Sequence, residues 1–177
     1  GYVLFKLDNR GMGNRGHAFE AAIHDVMGTI EVDDQLAGLA FLKSRPFVDA
    51  ERVGLYGWSY GGYATFESLV RAPELFACGI SMYGLSDLEV FTQSLVDRGS
   101  GNTWLRRVGD LRTEEGRALL REHSPLHHAE KIEAPLFVTH GAKDRRAPKW
   151  HSDQMVEVLV AMEKPVTYVV YPEEVHD

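Results

Sequence analysis

Apolar and polar positions follow two alternating rhythms along the chain. Short apolar runs at Tyr2–Leu7, Val53–Trp58, Phe76–Tyr83, Leu136–Thr139 and Val166–Tyr171 read as buried strands. Between them, Val32, Leu36, Leu39 and Leu42 recur at helical spacing and predict a helix over 30–43. Acids stand at its front, where the helix dipole favours them. Further helices are predicted over Tyr60–Arg71, ended by Pro73, over Thr113–Glu122, and over about Pro148–Met162. Residues 87–134 are more polar, helix-rich and irregular, with a loop marked by Gly99 and Gly101. Strands alternating with helices predict an α/β fold: a mostly parallel sheet with helices on both faces. No internal repeat, low-complexity tract or linker interrupts the pattern, so residues 1–177 are read as one domain.

Composition narrows the function classes. The chain is 44% apolar and 25% charged, ordinary for a globular protein. Its formal net charge is −7, with acids and bases interspersed, and no basic stripe suggests a nucleic-acid partner. No apolar run approaches a membrane span and no signal peptide opens the chain, so no membrane partner is expected. The chain starts on a strand-like run without methionine and stops just after another, as a fragment of a longer protein would. Cytoplasm and periplasm therefore both stay open. Cys78 is the sole cysteine, which excludes an internal disulfide; lying in an apolar run, it is expected to be a buried thiol.

"RGMGNRG", residues 10–16, matches G-x-G-x-x-G through Gly11, Gly13 and Gly16, with Asp33 and Asp34 further on. A dinucleotide loop needs its first glycine at the strand end and a second strand ending at the acid. Here Asp8, Asn9 and Arg10 intervene, and the helical period runs straight through the acidic pair. No cofactor is expected, and the glycines are read as tight turns where Arg10 braces the site. His127, His128 and Glu130 lack the H-E-x-x-H spacing, so no metal is expected either. His151 and Asp153 are read as a solvated helix face, and Glu114 and Glu115 as first-turn acids.

"YGWSYGGY", residues 56–63, carries G-x-S-x-G as Gly57, Ser59 and Gly61, with an apolar strand running in and a helix leaving at once. That context is a nucleophile elbow, a strained turn that exposes the serine hydroxyl above the sheet. Glycines on both sides are expected because neighbouring backbone crowds those positions. The Tyr60 N–H, at a helix N-terminus, points where a tetrahedral oxyanion would form. A serine hydroxyl needs a histidine base and an orienting carboxylate, in the chain order Ser, Asp, His for this architecture. "FVTHGAKDRRAP" places Asp144 just after one strand, and "YVVYPEEVHD" places His176 just after the next. All three sit outside the carboxyl ends of strands, where open parallel sheets bind ligands.

With "DNRGMGNRG", "GTIEVDDQ", "VDAERVGLYGWSYGGY", "ELFACGI", "SPLHHA", "HGAKD" and "YPEEVHD", nearly the whole chain resembles the catalytic domain of the prolyl oligopeptidase family of serine peptidases. The first two motifs and the Trp-Ser-Tyr elbow look like the dipeptidyl-peptidase branch; residues 81–134 look closer to acylaminoacyl-peptidase-like members. The resemblance implies an α/β-hydrolase fold with Ser59 as nucleophile, Asp144 as orienter and His176 as base. It also implies that Tyr60 supplies an oxyanion N–H and a pocket wall, with Leu85, Leu88 and Phe91 near other wall positions. A second oxyanion donor would come from a tyrosine upstream of Tyr2, so the chain by itself is expected to be catalytically poor. Two departures stand out. Val175 and Asp177 flank His176 where the family has glycine, and bulk at Val175 would press on the imidazole loop. Arg146 stands where the dipeptidyl-peptidase pattern has a substrate-holding asparagine. The implied partner is a peptide losing an N-terminal dipeptide or blocked residue; homo-oligomerisation of a full-length protein is left open. A carboxylesterase on the same triad, or an inactive fragment or binding module, stays an alternative.

Overall fold

The computed structural model describes residues 1–24, 26–99 and 108–176; Gly101 of the expected loop and Asp177 lie outside them. Four strands, β1 (Gly54–Trp58), β2 (Cys78–Met82), β3 (Leu136–Gly141) and β4 (Val166–Tyr171), form one sheet in the order β1-β2-β3-β4. Every pairing is parallel, with Trp58 opposite Met82, Met82 opposite Thr139, and Thr139 opposite Val169. This register brings the carboxyl ends of β1, β3 and β4 to one edge, and the chain leaves that edge at Ser59, before Asp144 and before His176. Among the described residues the α-helices are α1 (His17–Glu20), α2 (Ile30–Lys43), α3 (Tyr60–Arg71), α4 (Leu88–Asp97), α5 (Glu114–Glu122) and α6 (Trp150–Ala161).

Side-chain caps set two of the helix starts. The Asp87 carboxylate accepts the Val90 N–H at the head of α4, and the Thr113 hydroxyl accepts the Gly116 N–H at the head of α5. Phe66, Leu69 and Val70 of α3 and Met155 and Leu159 of α6 pack on Leu136 and Val138 of β3. Phe66 and Leu69 are fully buried, each contributing about 1.5–3 kcal/mol. Gly79 lets α3 approach closely, since a Cβ there would come within 2.6 Å of the Leu69 side chain. A second cluster, including Met27, Tyr63, Leu85, Leu88, Phe91 and Leu120, lies beside the elbow.

Several expectations change. Tyr2–Leu7 forms no strand: Tyr2, Val3 and Leu4 are exposed, and the segment lies along α2, with Phe5 and Leu7 over Gly38. An extended apolar run becomes a strand only beside a partner, and none of the described strands takes it. The helical layers also differ from the expectation of two covered faces. Among the described residues, α3 and α6 cover one face, while Tyr56, Cys78, Ile80 and Phe137 project from the other and are exposed. Cys78 is therefore not a buried thiol; strand alternation puts it on the open face. His151, expected on a solvated face, is fully buried, stacked on Trp150 and edge-on to Phe91. Its Nδ1 accepts the Ser86 N–H at 3.2 Å.

The glycine-rich opening forms turns, with Gly11 and Gly16 at φ 95° and 88°. The acidic pair that follows makes ion pairs. Asp34 holds Arg10 through Nε and Nη2, and this guanidinium pulls the Asp34 carboxyl below its usual range. Asp33 holds Arg71 at 2.5 Å. Arg10 thus braces α2 rather than the end of the sheet.

Candidate active site

β1 runs into Ser59 and α3 leaves at Tyr60, so the serine must turn the chain within one residue. It does so at φ 58° and ψ −118°, a conformation costing about 1–3 kcal/mol for a non-glycine residue. The Ser59 N–H donates to Met82 O at 2.8 Å, locking the turn to the end of β2. The elbow's crowding differs from expectation at one glycine. A Cβ on Gly57 would overlap the Gly61 carbonyl, but one on Gly61 would meet nothing within 4 Å. The second crowded position is Gly62, where a Cβ would lie 2.7 Å from the Gly84 Cα and 2.8 Å from Met82 O.

Ser59 Oγ lies 2.8 Å from His176 Nε2, and His176 Nδ1 lies 2.6 Å from Asp144 Oδ2. A carboxylate can only accept, so Nδ1 carries the hydrogen and Nε2 is left to accept from the serine hydroxyl. Asp144 and His176 are both buried. The other carboxylate oxygen, Asp144 Oδ1, accepts the N–H groups of Arg146 at 2.8 Å and Ala147 at 2.9 Å. The imidazole is flanked by the Trp58 ring at 4.8 Å and the Tyr83 ring, edge-on, at 5.6 Å between centroids. The loop before His176 is tied to the end of β3: Ala142 N–H donates to Tyr171 O and Lys143 N–H to Glu174 O.

Val175 does not press on the imidazole. The residue is 47% exposed, and His176 keeps its line to both partners. The crowding is borne instead by Gly141, where a Cβ would come within 2.5 Å of Glu174 O and 2.7 Å of Val175 O.

Tyr60 is half-buried against the second cluster and its ring meets Tyr63 at 5.3 Å. Its hydroxyl donates to Glu31, and burial together with that carboxylate raises the phenol pKa far above its ordinary value. Leu85, Leu88 and Phe91 are buried in the cluster behind Tyr60. An open depression beside His176 is lined instead by Lys143, Arg145, Arg146 and Val175. Arg146 is thus at the site's rim, while the three apolar residues stand behind its wall.

Three contributors carried no role in the sequence reading. Glu31, buried at the head of α2, accepts from both Gly28 N–H and Tyr60. Gly141 makes room for the histidine loop, and His140 is fully buried beside Asp144. The only signal for the last two was their place in "HGAKD".

A serine on a strained strand-to-helix turn of a parallel sheet, facing a histidine and a carboxylate from later strand ends, defines an α/β hydrolase. Within that class, the model of the prolyl oligopeptidase family matches residues 1–177, and the chain belongs to that family. It is 33% identical over 178 residues to a dipeptidyl aminopeptidase BIII of Pseudoxanthomonas mexicana, covering 99% of this chain and 26% of that protein. It is 34% identical over 180 residues to human dipeptidyl peptidase 8, covering 99% of this chain and 19% of that one. Among solved structures, an acylaminoacyl peptidase of Pyrococcus horikoshii superposes with a TM-score of 0.85 at 29% identity, over 95% of this chain and 27% of that one. The chain thus spans about a fifth to a quarter of the length of these relatives. Among the described residues, no helix is long and apolar enough to cross a membrane.

Proposed function

We propose that the chain is the catalytic part of a serine peptidase that cleaves short peptides through an acyl-enzyme. The single observation that carries this reading is the unbroken line Ser59 Oγ–His176 Nε2 and His176 Nδ1–Asp144 Oδ2. Ser59 Oγ attacks the carbonyl carbon of the scissile amide while His176 Nε2 takes its proton. Asp144 holds the imidazole in the required tautomer and stabilises the imidazolium. The Tyr60 N–H, at the head of α3, donates to the oxyanion. His176 returns the proton to the leaving amine, and water then hydrolyses the ester with the same histidine as base. The names of the relatives support release of an N-terminal dipeptide or a blocked residue. Tyr60 forms one wall for the residue before the cut bond, with Leu85, Leu88 and Phe91 as its apolar backing.

Fluorophosphonate labelling tests the reading directly, with the modified residue mapped by mass spectrometry. Label on Ser59, absent in Ser59→Ala, together with slow turnover of a dipeptidyl or N-acylaminoacyl amide, is the expected result for a chain whose one assigned oxyanion donor is the Tyr60 N–H. No label on Ser59 would overturn the nucleophile. Turnover of a p-nitrophenyl ester without any amide turnover would move the chain to the carboxylesterases.

A further inference from the structure

We propose that His140 is a positioning residue for the Asp144–His176 pair, holding the second acceptor site of Asp144 Oδ2 with its Nε2–H. The proposal rests on the reading of Ser59, His176 and Asp144 as the catalytic line, and it adds a fourth side chain behind them.

A carboxylate that orients a catalytic imidazole must be fixed at both oxygens. Oδ1 of Asp144 is fixed by two backbone N–H groups, of Arg146 and Ala147. Oδ2 accepts from His176 Nδ1 and has a further lone pair to fill. His140 Nε2 lies 3.2 Å from Oδ2 and 2.8 Å from the Ala147 carbonyl oxygen. Both neighbours only accept, so Nε2 carries the hydrogen; its bond goes to the Ala147 carbonyl, and Asp144 Oδ2 lies close enough to the same N–H to draw on it as a weaker second acceptor. Nδ1 is then the acceptor, and the Ser152 hydroxyl, 2.7 Å away on α6, donates to it. Tautomer and ring orientation are both set by partners on other elements.

His140 cannot swing away. It sits on β3, has no exposed surface, and its ring lies 5.1 Å from that of Tyr83. The ionisable groups facing it are Asp144, His176, Tyr83 and, from α6, His151. Burial holds the His140 pKa below its ordinary value, and a charged His176 opposes a second cation there. An uncharged donor fixes the carboxylate without neutralising it. A cationic His140 would instead compete with His176 for the same negative charge. The predicted consequence is twofold: His140 limits the rotation of the Asp144 carboxylate, and it tempers the carboxylate's pull on the His176 proton.

The test uses three variants of the full chain. His140→Gln carries an amide N–H to about the Nε2 position, His140→Asn reaches only the Nδ1 position, and His140→Leu reaches neither. The His176 titration is read by NMR of the ¹⁵N-labelled imidazole, which needs no turnover; kcat and KM are read on an amide substrate. In His140→Asn and His140→Leu the His176 titration should move up by about half a unit to one unit, since Oδ2 loses a donor and binds the imidazolium more strongly. In both, kcat should fall about 10- to 100-fold, the scale for removing a hydrogen-bond partner behind an active-site group, with KM unchanged. His140→Gln should restore both readouts. If the Leu variant fails to fold, the Gln and Asn pair decides. An unmoved His176 titration in the Asn variant, or equal behaviour of Asn and Gln, overturns the proposal. A shifted titration in a protein that never labels at Ser59 would leave the positioning intact and remove the catalytic reading instead.

Discussion

The elbow and the acid–base loops hold their side chains by different physical means. At the elbow, backbone meets backbone: Gly57 stands against the Gly61 carbonyl, Gly62 against Gly84, and the Ser59 N–H on Met82 O. Beyond the ends of β3 and β4, one close backbone contact at Gly141 is joined by a line of polar side-chain contacts. Asp144 gathers two backbone N–H groups and His176, while the Trp58 and Tyr83 rings flank the imidazole. A steric device either fits or fails, whereas a chain of polar contacts loosens link by link. Substitutions on the two sides should therefore differ in kind as well as in size.

The largest effect belongs to the one atom at which the two regions meet. Ser59→Ala should cost on the order of 10⁶-fold in kcat. Alanine adopts the same backbone as serine and only one hydroxyl is lost, so the thermal midpoint should hardly move. Residual activity above a trace would place the nucleophile elsewhere. Asp144→Asn comes next, at about 10⁴-fold. The amide keeps the shape but favours the imidazole tautomer with hydrogen on Nε2, facing the serine. A loss below tenfold in kcat on an amide substrate would mean that the acid–base side is oriented by something other than Asp144, with Asp153 the first alternative to examine.

The two regions also differed in how much of them could be read from sequence. The elbow's constraint is local: an apolar strand, Gly57, Ser59 and Gly61, then a helix, so a short window contained most of it. Even there the window misjudged which glycines are crowded, because Gly62 is filled by Gly84 from the end of another strand. Asp144 and His176 were expected from chain order and resemblance, and they lie in one line with Ser59, but no sequence signal pointed to their supports. A histidine in "FVTH" reads the same whether it faces solvent or lies fully buried against Ser152 and Ala147, as His140 does. Tyr2–Leu7 and Cys78 failed for a related reason. Apolar alternation says that a segment has faces to bury, while pairing and coverage are properties of the partner.

Within the elbow, Gly57→Ala and Gly61→Ala form a matched pair inside one motif. The first forces a methyl group into the Gly61 carbonyl, so the turn must shift, and a displacement near 1 Å costs about 10²-fold in rate. The second adds a methyl group with nothing within 4 Å, inside a helix that favours alanine. Thermal unfolding and fluorophosphonate labelling rates, measured side by side, should show loss in Gly57→Ala only. Equal losses would mean that Gly61 answers to substrate rather than to packing, and the steric account of the elbow would need to include the ligand.

The smallest effect is expected at Val175→Gly, on the acid–base side. If bulk beside His176 controlled the base, removing it should raise activity. The residue is half-exposed and does not have positive φ, and the imidazole already meets both partners. Glycine therefore gains no access to a needed conformation and only widens the freedom of the unfolded chain, a cost of about 0.4–1 kcal/mol. Turnover should stay at the parent level and the thermal midpoint should fall slightly. The close contact that shapes this loop is the one at Gly141, against Glu174 O and Val175 O, which involves the backbone of residue 175 and not its side chain. A several-fold gain in kcat for Val175→Gly would contradict this and show that the side chain, despite its exposure, holds the histidine loop away from its best position.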